Sequence, residues 1–145
     1  MKRGEQQKIL HSGSNNKVNV FITLLYPQNR IKFNTSRTRN SNDFINHLKS
    51  IKRYVLKRNV KRFILVMDNA SFHVSKKTTG YIERQSRWLT VVYLPKRSPF
   101  LNPVETKVNR NLKKDICANY SYETEENLVC FVRKYLRRTG CWPKI

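Results

Sequence analysis

Two acidic side chains, Asp68 and Glu105, occupy positions from which carboxylates can act together. Asp68 directly follows a continuous apolar run, residues 63–67, and Glu105 lies downstream of a second run, residues 89–94. In open α/β sheets, ligands bind at the carboxyl ends of the strands. A single helix-and-strand crossover between the two acids can return the chain to that same edge. Paired carboxylates in a basic protein suit Mg²⁺ or Mn²⁺, and two such ions can support phosphodiester cleavage.

Both acids also have structural interpretations. Glu105 lies three residues after Asn102, which is where a capping box places a Glu. The segment Asp68-Asn69-Ala70-Ser71 also resembles a turn that ends a strand. A histidine such as His73 is more often a satisfied structural residue than a metal ligand. The residue types alone therefore leave the catalytic and the structural interpretations open.

Hydropathy periodicity predicts the elements that position these residues. Alternation predicts strands, spacing of three and four predicts amphipathic helices, and short apolar runs predict buried strands. The predicted order is a hairpin at 17–26 and 31–35, a helix at 43–57, a strand at 63–67, a helix at 75–87, a strand at 89–94, a helix opening at Asn102-Pro103 and a helix at about 123–137.

The two apolar runs are expected to pair in parallel because a helix lies between them. The length and β-branching of the first run predict a strand covered on both faces, and the second run is another candidate for a buried strand. The last helix is expected to bury Leu128, Phe131, Val132, Tyr135 and Leu136. The fold class is α/β, with an irregular entry segment at 1–16, one domain at 17–138 and a tail at 139–145.

The charge of the chain indicates a polyanionic partner. The 145 residues contain 30 Lys and Arg against 9 Asp and Glu, for a formal net charge of +21. Nucleic acid is the usual partner of such a surface, and no apolar run is long enough to span a membrane. The partner is therefore expected to be DNA or another nucleic acid, with no membrane association.

Two local strings resemble a known family. They are Asp68-Asn69-Ala70-Ser71-Phe72-His73 and the segment from Leu94 to Glu105, LPKRSPFLNPVE. Together they resemble the catalytic domain, or DDE superfamily endonuclease domain, of DDE transposases of the mariner-like superfamily, in its prokaryotic insertion-sequence branch. The resemblance extends from about residue 3 to about residue 138. It implies a ribonuclease H-like fold and Mg²⁺- or Mn²⁺-dependent DNA cleavage and strand transfer at transposon ends.

The resemblance also assigns roles to individual residues. Asp68 resembles the second metal-binding carboxylate of the family's triad and Glu105 the third, so both are expected to be catalytic. Asn69 and His73 match the motif and are expected to support Asp68 or to contact substrate phosphate. The side chains expected to hold DNA are basic residues near Glu105, namely Lys96, Arg97, Lys107, Arg110, Lys113 and Lys114.

The family's first Asp has no counterpart in this sequence. The only acid before the hairpin is Glu5, and no buried strand surrounds it. The domain is thus expected to be partial, lacking the first strand, with the edges of the hairpin and of the parallel pair left unpaired. Catalytic activity is uncertain because the triad is incomplete, and the chain alone is expected to be inactive.

Two other interpretations of the whole protein stay open. The chain can be one half of a split transposase, complemented in trans by an N-terminal half, or a homodimer. It can also be a non-catalytic nucleic-acid-binding protein that retains the basic surface. In every case the expected location is the cytoplasm of a prokaryotic host, at the nucleoid when the protein is bound to DNA.

Overall fold

The computed structural model describes residues 17–117, 122 and 124–138. These residues form a mixed α/β structure in the predicted order. The elements are β1 (Asn19–Leu25), β2 (Arg30–Ser36), α1 (Ser41–Lys57), β3 (Phe63–Met67), α2 (Lys76–Arg84), β4 (Leu89–Tyr93), a 3₁₀ turn (Pro99–Leu101), a π-helix (Val104–Asn109), α3 (Arg110–Cys117) and α4 (Glu125–Arg138). The segments predicted at 1–16 and 139–145 lie outside the described residues.

The predicted hairpin is confirmed. β1 and β2 pair antiparallel in a register that runs from Asn19 opposite Ser36 to Leu25 opposite Arg30. The connection turns at Asn29, whose φ of 53° lies in the left-handed region that asparagine tolerates. Successive side chains of β1 point to opposite faces, and the two faces pack against two different hydrophobic cores.

The first core lies between α1 and the parallel pair. Helix α1 buries Leu48 and Ile51 almost completely, and these pack with Phe21 of β1 and Leu65 of β3. Apolar residues at helical spacing produce this stripe, while Lys49 and Arg53 remain exposed on the opposite face. The sequence interpretation of residues 43–57 as an amphipathic helix is therefore confirmed.

The parallel pairing of β3 and β4 is also confirmed, with Phe63 opposite Leu89 and Met67 opposite Tyr93. The expectation that both faces would be covered was wrong. Ile64 and Val66 are 66% and 51% exposed, whereas Leu65 and Met67 on the other face are buried. Alpha helices α1 and α2 cover one face only, and no other element of the described chain covers the second.

The second core lies between the hairpin and the C-terminal helices. Val108, Leu112, Leu128, Val132 and Leu136 form it, with Val20 and Ile22 of β1 packed against them. Phe131 and Tyr135, expected to be buried, are only half-buried, because they flank the stripe that faces this core. Arg133 on α4 donates from Nη2 to Thr35 Oγ1 of β2 at 2.8 Å, which links the helix to the hairpin.

Two predicted helices differ from those observed. The helix expected at 75–87 ends at Arg84, where Gln85 is the C-cap. The helix expected to open at Asn102-Pro103 begins as a π-helix, Val104–Asn109, before continuing as α3. None of the helices within the described ranges has the length and hydropathy that crossing a membrane requires.

Replacing Asn40 by Ala is expected to lower the free energy of unfolding by about 1 kcal/mol. Asn40 is the N-cap of α1, and its Oδ1 accepts from the backbone N–H of Asp43 at 3.0 Å. Without this acceptor, the N–H loses its partner at the first turn of the helix. Urea unfolding followed by circular dichroism measures the change. Asn46→Ala, at an exposed position within α1, is the control. An equal loss in both variants would contradict the capping role.

Candidate active site

Asp68 is the first residue after β3, and two donors hold one of its carboxylate oxygens. Its Oδ1 accepts from the backbone N–H of Ala70 at 3.1 Å and from Nδ1 of His73 at 2.7 Å. The Asp68 side chain is nevertheless 48% exposed. The turn that ends β3 therefore fixes the carboxylate while leaving part of it open to solvent.

His73 is packed between aromatic rings and is held as a neutral donor. Its ring centroid lies 4.3 Å from that of Phe44 and 4.4 Å from that of Phe72. Burial lowers the pKa of His73, and this outweighs the opposite effect of the neighbouring Asp68 carboxylate. The contact with Asp68 is therefore a hydrogen bond from Nδ1–H rather than an ion pair, and it sets the orientation of the carboxylate.

Asn69 connects the two loops that carry the candidate residues. Its Nδ2 donates to the backbone carbonyl of Leu94 at 2.6 Å, just beyond the end of β4. A second hydrogen bond holds the same loop from α2. The hydroxyl of Thr78, a completely buried residue of that helix, donates to the carbonyl of Phe72 at 2.6 Å. The loop after β3 is thus tied both to α2 and to the loop after β4.

Glu105 lies in the first turn of the π-helix and is held by Asn109. The backbone N–H of Glu105 donates to the carbonyl of Asn102 at 3.0 Å, and Asn102 Oδ1 accepts from Val104 N–H at 3.1 Å. The Glu105 side chain does not serve as the second half of a capping box. Its Oε1 instead accepts from Nδ2 of Asn109 at 2.8 Å.

The sequence interpretation missed Asn109. The available signal was its spacing of four residues from Glu105 on a predicted helix, where two side chains are neighbours. Asn109 fixes one carboxylate oxygen of Glu105 in the way that His73 fixes one of Asp68. Each carboxylate therefore has one oxygen engaged by a neutral donor.

Asp68 and Glu105 lie on the wall of the same pocket, as the crossover argument predicted. The pocket, about 340 Å³, lies between the two loops and is also lined by Asn69, Lys96, Arg97 and Asn102. Both carboxylates also border a second, larger cavity. The topology thus brings together two acids that are 37 positions apart in the sequence (105 minus 68).

The structure places only part of the predicted basic set at these cavities. Lys96 and Arg97 line the small pocket, with Arg97 at a left-handed φ of 60°. Lys113 lines the larger cavity. Lys107, Arg110 and Lys114 line neither cavity, and of these only Lys107 is half-buried.

The side chains at the pocket meet the needs of a divalent cation only in part. Within residues 17–117, 122 and 124–138, no group of three or more His, Cys, Asp and Glu side chains could hold a metal ion. Two carboxylates facing one pocket still fit Mg²⁺ or Mn²⁺ in part, because Mg²⁺ is commonly held by one or two carboxylates, water and substrate phosphate. Asp68 and Glu105 are the residues that would hold such an ion.

A model of a known protein family matches the chain. The family model described as DDE superfamily endonuclease matches residues 1–129, which is most of the chain. No curated protein matches the chain at a significant level. The matched segment contains β1 to β4, both candidate carboxylates and the loops that hold them.

Proposed function

Because the chain belongs to the DDE superfamily of endonucleases, we propose that it is part of a transposase catalytic domain, which cleaves DNA and transfers strands when complete. The observation that carries this proposal is the shared pocket of Asp68 and Glu105. Each carboxylate has one oxygen bound by a neutral side chain, and Lys96 and Arg97 line the same pocket. This arrangement suits a metal ion bound together with a phosphate group.

The proposed relationship within the superfamily is narrower than the family match. The strings at 68–73 and 94–105 support the mariner-like group and its prokaryotic insertion-sequence branch. The order of hairpin, helix, strand, helix, strand and helices supports a ribonuclease H-like domain at 17–138 that lacks its first strand. The proposed location is the prokaryotic cytoplasm, at the nucleoid when the protein is bound to DNA.

In this proposal, Mg²⁺ or Mn²⁺ supplies Lewis-acid activation of the attacking and leaving oxygens when bound. Asp68 and Glu105 present the carboxylates, while His73 and Asn109 orient them. Asn69 keeps the two loops at a fixed separation through its bond to Leu94. His73, Asn109 and Asn69 are all neutral in these hydrogen bonds, so none of them has to gain or lose a proton to keep the carboxylates in position.

The DNA backbone is proposed to lie along the basic residues around the pocket. Lys96, Arg97 and Lys113 would contact phosphates near the carboxylates, since they line the two cavities that Asp68 and Glu105 also line. Lys107, Arg110 and Lys114 extend this surface along the helices that follow Glu105. Phosphate contacts of this kind position DNA without reading its sequence.

The chain alone is proposed to be inactive. The resemblance implies three carboxylates, and the sequence offers counterparts for two, Asp68 and Glu105. Two carboxylates and water would still hold a hard cation, although with fewer anionic ligands than the resemblance implies. We therefore expect metal binding to be measurable under conditions in which DNA nicking is absent.

Mn²⁺ is expected to raise the melting temperature of the wild-type chain, and Asp68→Asn or Glu105→Gln is expected to abolish that rise. At 100 times the dissociation constant, a ligand that binds only the folded state adds about 2.7 kcal/mol. Thermal melts followed by near-ultraviolet circular dichroism, with and without Mn²⁺, measure the effect. Glu83→Gln on α2, an exposed acid outside both cavities, is the matched control. An undiminished Mn²⁺ shift in Asp68→Asn would contradict the assignment.

A second candidate function is non-catalytic nucleic-acid binding, which the net charge of +21 favours. It requires the basic surface but not the carboxylates. Unchanged DNA affinity in an Asp68→Ala, Glu105→Ala variant, together with no Mn²⁺ effect on the melt of the wild-type chain, would favour this function over the first.

A further inference from the structure

Phe100 is an exposed aromatic side chain in the loop that leads to Glu105. Its exposed fraction is 71%, whereas the other six phenylalanines of the chain are buried or half-buried. The ring therefore forgoes the stabilisation that burial in a core would give. A single exposed apolar residue is common on protein surfaces, so the backbone and the surroundings of Phe100 decide whether it has a role.

Hydrogen bonds and a proline fix the backbone on both sides of Phe100. The residue is the middle one of the 3₁₀ turn, and Pro99 occupies the first position of that turn. The N–H of Leu101 donates to the carbonyl of Ser98 at 3.1 Å, and the N–H of Asn102 donates to the carbonyl of Pro99 at 3.1 Å. Because the proline ring also fixes its own φ, the turn holds Phe100 in a defined place ahead of the π-helix.

This place is the rim of the carboxylate pocket. Residues 94–99 line the small pocket and Leu101 lines the larger cavity, whereas Phe100 lines neither. The Cα atoms of Phe100 and Pro99 are consecutive and therefore about 3.8 Å apart. An exposed side chain between two wall residues lies outside the pocket but beside it. A ligand with one group inside the pocket can thus place its next group against the Phe100 ring.

The charge of the same loop indicates the class of ligand. Residues 94–104 contain Lys96 and Arg97 and no acidic residue. Both basic side chains belong to exposed residues that line the small pocket. Cations beside an exposed aromatic ring are the combination that binds single-stranded nucleic acid, because the cations neutralise phosphates while bases stack on the ring. A nucleotide carries a phosphate and a base on the same sugar, so it can use both features of the loop.

We propose that Phe100 stacks on an unpaired base of a DNA strand whose neighbouring phosphate lies at the pocket of Asp68 and Glu105. The contact is aromatic stacking, in which the ring and the base overlap with an offset. Every base has such a face, so the contact tolerates any sequence. This inference rests on the proposed function, because it needs DNA at the pocket, but it requires neither a bound metal nor cleavage.

The stacked base must be unpaired or displaced, because within a duplex both faces of a base are covered by its neighbours. Apolar side chains stabilise opened base steps in this way in other DNA-binding proteins. Displacing a base costs free energy, which stacking on a side chain offsets in part. Phe100 would therefore favour the strand conformation in which a phosphate turns into the pocket. It would position the substrate, since it would contact a base and not the reacting phosphate.

The first test measures the affinity of the full chain for a fluorescein-labelled oligothymidylate of about twelve nucleotides, by fluorescence anisotropy at roughly 150 mM salt. Phe100→Leu keeps an apolar side chain without an aromatic face and is expected to bind about five- to 150-fold more weakly, as for one stacked base. Phe100→Trp is expected to retain the wild-type affinity. The matched probe is an abasic oligomer of the same length and charge. Wild type and Phe100→Leu are expected to bind it equally, because it has no base to stack.

A second test locates the stacked base. The same oligomer with 5-iodouracil in place of one thymine forms a photo-crosslink to an aromatic side chain that stacks on it, and mass spectrometry identifies the residue. We expect the crosslink at Phe100. Tyr26→Ala is the control, because Tyr26 is 81% exposed in the hairpin turn and lies outside the small pocket. This variant is expected to change neither the affinity nor the crosslink. Both positions are exposed, so all variants are expected to keep the near-ultraviolet spectrum of the wild type.

Three results would overturn this inference. The first is an affinity for oligothymidylate that Phe100→Leu leaves unchanged, or an equal loss of affinity for the abasic oligomer. The second is a crosslink that forms only at other residues. The third is a dimer in sedimentation that Phe100→Leu dissociates, which would assign the ring to a second copy of the chain. None of these results alters the Mn²⁺ shift of the melt or the salt dependence of duplex binding, so failure here is distinguishable from failure of the proposed function.

Discussion

The affinity of the chain for a random-sequence DNA duplex is expected to fall about 10³- to 10⁵-fold between about 50 mM and 200 mM salt, if six to ten phosphates are contacted. Each contacted phosphate releases condensed counterions, so the logarithm of the binding constant falls linearly with that of the salt concentration. The formal net charge of +21 supplies enough cations for contacts of this number. Fluorescence anisotropy titrations at a series of salt concentrations give the slope.

The pocket residues are expected to account for part of that slope. Lys96→Gln with Arg97→Gln is expected to reduce its magnitude by about two, at about one per phosphate contact. Lys49→Gln, on the exposed face of α1 away from both cavities, is the control and is expected to leave the slope nearly unchanged. A flat salt response would contradict electrostatic DNA binding. If the double variant has the same slope as the wild type, Lys96 and Arg97 do not contact DNA phosphates.

The second large effect is a loss of folding stability below neutral pH, caused by His47. This side chain is 2% exposed. Its Nε2 contacts the Thr23 hydroxyl at 2.8 Å, and its Nδ1 contacts Asn34 Oδ1 at 2.7 Å. Since Asn34 Oδ1 can only accept, the neutral ring donates from Nδ1–H and accepts at Nε2 from the Thr23 hydroxyl. Protonation of Nε2 would put two donors face to face in the core, unless the Thr23 hydroxyl turned to accept.

Burial, with smaller contributions from Lys32 and His73, lowers the pKa of His47 to about 4. In the unfolded chain its pKa is about 6.5. The stabilisation is complete above pH 6.5 and is lost as the pH falls toward 4, because there the unfolded state binds a proton that the folded state does not. Between pH 8 and pH 5, the free energy of unfolding is expected to fall by about 2 kcal/mol from this residue.

Urea unfolding of wild type and His47→Gln at both pH values tests this expectation. His73 also has a lowered pKa and contributes in the same direction, so His73→Gln serves as the second comparison. The expected result is a smaller pH dependence in His47→Gln, by about 2 kcal/mol, and also a smaller one in His73→Gln, with the two effects not additive because His73 itself helps to lower the pKa of His47. The same pH dependence in His47→Gln and wild type would contradict the role of the buried imidazole.

Sequence periodicity was sufficient for the order of the helices and strands, but it did not predict the π-helix at Val104–Asn109. The alternation in β1, the stripe of α1 and the apolar runs of β3 and β4 each involve neighbours along the chain, which a local pattern records. The motif strings identified Asp68 and Glu105 for the same reason. The prediction that they lie together needed one further rule, namely that a crossover returns the chain to the same sheet edge.

The partners of the carboxylates could be predicted only in part. His73 lies within the motif of Asp68, but its neutrality depends on burial against Phe44, which comes from a distant helix. Asn109 lies four residues after Glu105, a spacing that many side-chain pairs on a helix share, so the sequence alone did not single it out. The buried network of Thr23, Asn34 and His47 joins three elements, and no local pattern marks it.

By itself, the sequence determined the α/β order, the net positive charge and the prediction that Asp68 and Glu105 lie at one sheet edge, because each follows from residue type and spacing. Only the tertiary structure decided which faces are covered. The apolar run of β3 predicted burial on both sides, yet Ile64 and Val66 are exposed at the larger cavity, where no other element among the described residues covers them. Hydropathy records that a strand favours burial on both faces, whereas the elements that cover it depend on contacts between distant segments.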